Sequence, residues 1–122
     1  MSDTKPLYPA TTRELGEQRK SLAPKPLAAF KEFSRSVFAD GALPAKVKHL
    51  IAVAAAHVTQ CPYCIRGHTR AALRHGAAAE EIMEAIWVAA EMRAGAAYSH
   101  SALALDTMSQ LHDQDVERET LK

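Results

Sequence analysis

Apolar residues recur at three- and four-residue intervals along most of the chain, the spacing that gives a helix one apolar face. The first such segment is weak. Thr12-Arg13-Glu14-Leu15 opens a short polar helix to about Leu22, with too little apolar surface to hold it without tertiary contacts. Pro24 and Pro26 then interrupt the chain. Leu27, Phe30, Phe33, Val37 and Phe38 predict a second helix over 27–38, ended by Asp40-Gly41. Pro44 fits a first helical turn, and a third helix follows over 45–59. Its broad face carries Val47, Leu50, Ile51, Ala54, Ala55 and Val58.

Gln60-Cys61-Pro62 breaks that run, because Pro62 has no N–H to donate. A fourth helix is expected from Cys61 to about Arg74, closed by His75-Gly76. Ala79-Glu80-Glu81 opens a fifth, with acids at its positive end and an apolar face of Ile82, Ala85, Ile86 and Ala89. Gly95 is expected to end it. A last helix would run from Ala96 to about His112, with Leu103 and Leu105 turned inward. The tail over 113–122 is charged and free to fray, and 1–10, with Pro6 and Pro9, reads as a loose lead-in. No segment alternates convincingly with period two. The expectation is an all-α fold, a compact helical bundle forming a single domain over 1–122.

Composition changes this picture little. A chain of 122 residues suits one domain with a modest core, which partner subunits would help to cover. Lys and Arg number 15 against 14 Asp and Glu, a net charge of +1. That balance gives no electrostatic ground for a nucleic acid or an anionic membrane as partner. No stretch is long and apolar enough to span a bilayer, and Met1–Pro9 lacks a hydrophobic signal region, so the cytoplasm is expected. In a reducing compartment two cysteines spaced Cys-x-x-Cys point to redox chemistry or metal binding rather than a permanent disulfide.

The chemistry concentrates in Cys61-Pro62-Tyr63-Cys64-Ile65-Arg66-Gly67-His68. Cys61, Cys64 and His68 are three and four residues apart, so a helix places them on one face. His57 would align too, were the helix not broken at Pro62. A thiolate near a helix N-terminus is favoured by the amide dipoles, and an imidazole one turn away can accept or return its proton. These are the parts needed to reduce a peroxide or exchange disulfides. A zinc site is the competing reading, but one helical face cannot surround a tetrahedral metal. Two packed core cysteines are the plainest one.

At these residues the chain resembles the AhpD-like alkylhydroperoxidases of the carboxymuconolactone decarboxylase family. The matching stretch runs from Leu43-Pro44-Ala45 to Val53, then Cys61 to His68. It continues at Gly76, Glu80 to Ala85, Ala94-Gly95 and the segment around His100. The resemblance covers about residues 27 to 105. It implies an all-α homo-oligomer, commonly a trimer or hexamer, with no organic cofactor. It implies that Cys64 attacks the hydroperoxide and Cys61 closes the disulfide. It implies that His68 shares a proton relay with a glutamate twelve residues before the first cysteine. Here that position is His49, an imidazole that titrates near neutrality but brings no negative charge. Glu84, Glu91 and His57 are the candidates to complete the relay.

The expected function is a thiol-dependent antioxidant oxidoreductase acting on hydroperoxides or disulfides. An external dithiol, of lipoyl or thioredoxin type, would restore the pair. The family name admits a carboxymuconolactone decarboxylase, though lactone decarboxylation needs no dithiol. A redox-sensing or assembly module with little turnover is the reading from another class. Tyr63 and Trp87 are expected to pack, Met83 and Met92 to fill gaps, Arg66 to be solvated, and His100 either to line the site or to pack.

Overall fold

The computed structural model describes residues 4–122, which form five helices and, among the described residues, no strand. They are α1 (Arg13–Leu22), α2 (Pro24–Phe38), α3 (Ala45–Thr59), α4 (Pro62–Arg74) and α5 (Ala79–Thr120).

Local chemistry explains most of the boundaries. The Thr12 hydroxyl caps α1 by accepting from the Leu15 N–H at 3.2 Å. Pro24 and Pro26 do not keep α2 waiting until Leu27, as expected. Both sit in its first turn, where backbone N–H groups have no helical partner to lose. The carboxylate of Asp40 accepts from the Ala45 N–H at 2.7 Å and so opens α3. At the other end of α3, Gln60 takes a left-handed conformation (φ 59°), which turns the chain before Cys61 and Pro62 start α4. Gly76, at φ 90°, closes α4, and the Ala77 N–H reaches back to the Ala72 carbonyl at 2.9 Å.

The expected break at Gly95 does not occur. A single helix of 42 residues runs from Ala79 to Thr120 and includes the charged tail. Gly95 lies between Ala94 and Ala96-Ala97, among the strongest helix formers, and no proline follows to stop the helix. The opening of α5 is secured by Glu81, which accepts from the Ala78 N–H at 2.9 Å and pairs with Lys46 of α3 at 2.9 Å. Both contacts hold the Glu81 carboxyl below its ordinary range, the backbone N–H first.

The core is small and lies where α3 packs on α4 and on the first half of α5. Val53, Ala72, Ala77 and Ile82 form it, with Leu50 and Ile86 against them. The buried stripe of α3 is Ala45, His49, Val53 and Ala56, rotated from the expected face so that Ile51 and Val58 stay exposed. Neither α1 nor α2 buries a residue fully. Trp87, Met83, Met92, Leu103 and Leu105, expected to pack or turn inward, are all exposed in the single chain. No helix among the described residues is long and apolar enough to cross a membrane.

Candidate active site

The break between α3 and α4 is what builds the site. It leaves Cys61 as the capping residue of α4, with its sulfur accepting from the Cys64 N–H at 3.3 Å. Both cysteines are free thiols, Cys61 half-buried and Cys64 exposed. The Cys64 thiol also hydrogen-bonds the Cys61 sulfur. That contact, then the backbone N–H groups of Cys64 and Tyr63, pull the Cys61 thiol below its usual range. Donating that hydrogen bond, partial burial and the neighbouring negative charge push the Cys64 thiol up. The acidic sulfur of the pair is therefore Cys61.

Cys64 faces elsewhere. With His68 it lies on the wall of an apolar cavity of about 410 Å³ formed by Phe38, Ile51, Ala52 and Ala55 among others, with Lys48 at its edge. The Lys48 ammonium donates to the Ala39 carbonyl at 2.6 Å, which ties α3 to the end of α2.

His68 belongs to a cluster of three imidazoles. His49 Nδ1 and His68 Nδ1 are 3.1 Å apart, so one donates and the other accepts. Phe38 stacks on both rings, at 4.7 Å from His49 and 4.8 Å from His68. His75 stacks on the far side of His49 at 5.1 Å. Burial, then the positive potential of His68, His75 and Arg74, hold the His49 pKa below its ordinary value. Burial alone does so for His68.

The structure joins the four residues singled out in the sequence two by two, Cys61 with Cys64 and His49 with His68, and Cys64 and His68 share the cavity wall. Position 49 is a buried histidine on the core stripe of α3, not a surface one. The other relay candidates are elsewhere. Glu84 and Glu91 are exposed on α5, and His57 turns back to the Val53 carbonyl of its own helix at 2.7 Å. His100 is exposed, far along α5. Sequence reasoning missed two members. His75 had a signal, since it lies two turns after His68 on one helical face. Phe38 had none, because its contact with the imidazoles comes from the packing of α2 on α3. Among the described residues, no three His, Cys, Asp or Glu side chains are grouped to hold a metal ion.

The model of the carboxymuconolactone decarboxylase family matches residues 24–107. A Paracoccus denitrificans protein named for its place in the cox locus is 63% identical over 83 residues, spanning 68% of this chain and 75% of its own. A Cupriavidus necator protein is 42% identical over 83 residues, 66% of this chain and 74% of its own. Among solved structures, a Legionella pneumophila protein of that family, in its apo form, superposes with a TM-score of 0.60 at 35% identity, over 65% of this chain and 70% of its own. A Methanobacterium thermoautotrophicum protein gives 0.65 at 34%, over 69% and 94%. A Thermotoga maritima family protein, suggested to act in an antioxidative response, gives 0.53 at 28%, over 73% and 92%.

Proposed function

The chain belongs to the carboxymuconolactone decarboxylase family, and from that premise we propose that it is a dithiol oxidoreductase that reduces organic hydroperoxides. The observation that carries this reading is the division of labour in the thiol pair. Cys61 is the sulfur whose thiol is pulled down by its hydrogen bonds, while Cys64 is the sulfur on the wall of the apolar cavity. An alkyl hydroperoxide suits such a wall better than hydrogen peroxide does, because its chain gains from leaving water.

The Cys64 proton passes to the Cys61 thiolate as substrate arrives. The Cys64 thiolate attacks the outer peroxide oxygen and the O–O bond breaks, giving a Cys64 sulfenic acid and an alkoxide. A proton from solvent, relayed by His68 and its partner His49, converts the alkoxide to alcohol. The Cys61 sulfur then attacks the sulfenic sulfur, the S–O bond breaks, and water leaves from a Cys61–Cys64 disulfide. An external dithiol, of lipoyl or thioredoxin type, takes up the oxidation and returns both thiols.

Self-association belongs to the same proposal. The protomer exposes 10123 Å², whereas a compact monomer of this mass exposes roughly 6,500 Å². The excess falls in the range of obligate interfaces. A homo-oligomer, a trimer or hexamer by family resemblance, would cover it.

The decisive assay follows organic hydroperoxide consumption with a dithiol donor. Wild type is expected to turn over and Cys64→Ser to fall to background. Cys61→Ser is expected to complete one oxidation to sulfenic acid, more slowly for want of the Cys61 sulfur as proton acceptor, and stop. Unchanged turnover in Cys64→Ser would eliminate the mechanism.

A further inference from the structure

Helix α4 carries a second stripe of functional character, turned away from the thiol cavity. Tyr63, Gly67 and Arg70, with Arg66 beside them, line a cleft of about 310 Å³ whose other wall is Ala10 and Thr11 of the lead-in. The wall is fixed in place. The Tyr63 hydroxyl donates to the Pro9 carbonyl at 2.8 Å, and Tyr8 meets the Tyr63 ring edge-on at 5.9 Å.

Three features of this cleft share one sign. Arg66 and Arg70 are one turn apart on one helix face, where like charges repel. Neither is in an ion pair among the described residues, although Arg13, Arg35 and Lys46 all find carboxylates. Thr11 immediately precedes the cap of α1, so the positive end of that ten-residue helix adjoins the cleft. No carboxylate lines the space. Its floor is Gly67, where an added Cβ would meet nothing within 4 Å. A concave, polar space with two unpaired guanidiniums beside a helix N-terminus offers planar, forked donors to an anion.

We propose that this cleft is a binding site for a small anion bearing a carboxylate or phosphate group, held by Arg66 and Arg70. Tyr63, which lies between the two cysteines in sequence, lines the cleft, so the bound anion sits on the flank of α4 that faces the lead-in. The site does not depend on the peroxidase reading: Arg66 and Arg70, which hold the anion, take no part in the thiol chemistry, and Tyr63 touches it only through its backbone N–H.

The test uses the isotope-labelled full chain. Inorganic phosphate and, separately, succinate are titrated at constant ionic strength, with sodium chloride as the screening control. The amide signals of Thr11, Gly67 and Arg70 are followed. Saturable shifts confined to the cleft are expected, weakened about tenfold or more in the double variant Arg66→Gln/Arg70→Gln. The tighter of the two anions identifies the source, phosphate or carboxylate. Gly67→Glu places a carboxylate over the open floor and is expected to abolish binding while the helical spectrum stays unchanged. Shifts that grow linearly, that sodium chloride reproduces, or that survive in the double variant would overturn the assignment.

Discussion

At the scale of single residues, the site is governed by how two protons are held. One is shared by the sulfurs. Cys61 is expected to titrate below the ordinary thiol range because Cys64 donates to it and two backbone N–H groups point at it. Ultraviolet thiolate absorbance in a pH titration reads this directly. Replacing Cys64 by alanine removes the largest stabilising contact, so the Cys61 pKa should rise, yet stay lowered by the backbone N–H groups. A Cys61 that titrates unchanged after this substitution would remove the basis for assigning it the charge. The other proton is the one His49 and His68 exchange. Both pKa values are lowered on folding, so the native state resists protonation that the unfolded chain accepts. Above the unfolded imidazole value, about 6.5, the two states carry the same proton count and stability is level. As pH falls below it the unfolded chain binds more protons and stability is lost, until the native rings protonate as well. Melting temperatures measured from pH 8 to pH 5 should decline only in the acidic part of that range. His49→Phe, which keeps a stacking ring but cannot charge, should flatten the decline.

At the scale of elements, the helices announce themselves through periodicity, and their ends through chemistry that sequence displays unevenly. The start of α4 was legible, because Pro62 forces a break and a capping residue must precede it. So was its end at Gly76. The start of α2 was not, because proline disrupts a helix interior yet fits a first turn, and only the register decides which applies. The length of α5 misled for a similar reason, since a glycine both closes helices and is tolerated within them. The two conformations predict opposite effects for Gly95→Ala. Inside a helix, alanine is expected to stabilise the protein by about 0.5–1 kcal/mol. The nearest atom to the new Cβ, at 3.3 Å, is the Glu91 carboxylate oxygen, the free end of a flexible side chain that can move aside. Were Gly95 a left-handed cap, alanine would be costly there, as it is expected to be at Gly76, by about 1–2 kcal/mol. Urea unfolding of the two variants separates these outcomes. The buried face of α3 shows the limit of pattern reading most clearly. Nearly every position of 50–56 is apolar, so periodicity could not choose between the Ile51 face and the Val53 face. Packing against α4 and α5 chose the latter, and in doing so carried His49 into the interior beside His68.

At the scale of the whole molecule, the protomer has more apolar surface than its core can use. The fully buried side chains of the core are mostly alanine and valine, while Phe30, Phe33, Trp87 and Met92 lie open to solvent. The second half of α5 buries nothing in its own chain. A helix of that length does not persist through intrinsic propensity alone when its apolar residues face water. Exposed apolar patches of this extent mark interaction surfaces. The sequence hinted at the imbalance, since half the chain is apolar while the domain is small, but it could not say which residues would be left outside. Trp87 makes the question measurable, because it is the single tryptophan and is 68% exposed on the protomer. In a self-associated state it is covered, so its emission should be shifted to the blue and poorly quenched by acrylamide. Light scattering should then give a mass several times the 13.3 kDa of the chain. Trp87→Glu places a charge in the covered surface. It should shift the mass toward that of the monomer, with a loss of melting temperature, because the subunits stabilise one another by mass action. Emission typical of a water-exposed indole together with a monomeric mass would mean that this surface stays bare. The area excess would then have to be met by docking α1, α2 and the end of α5 back onto the same chain.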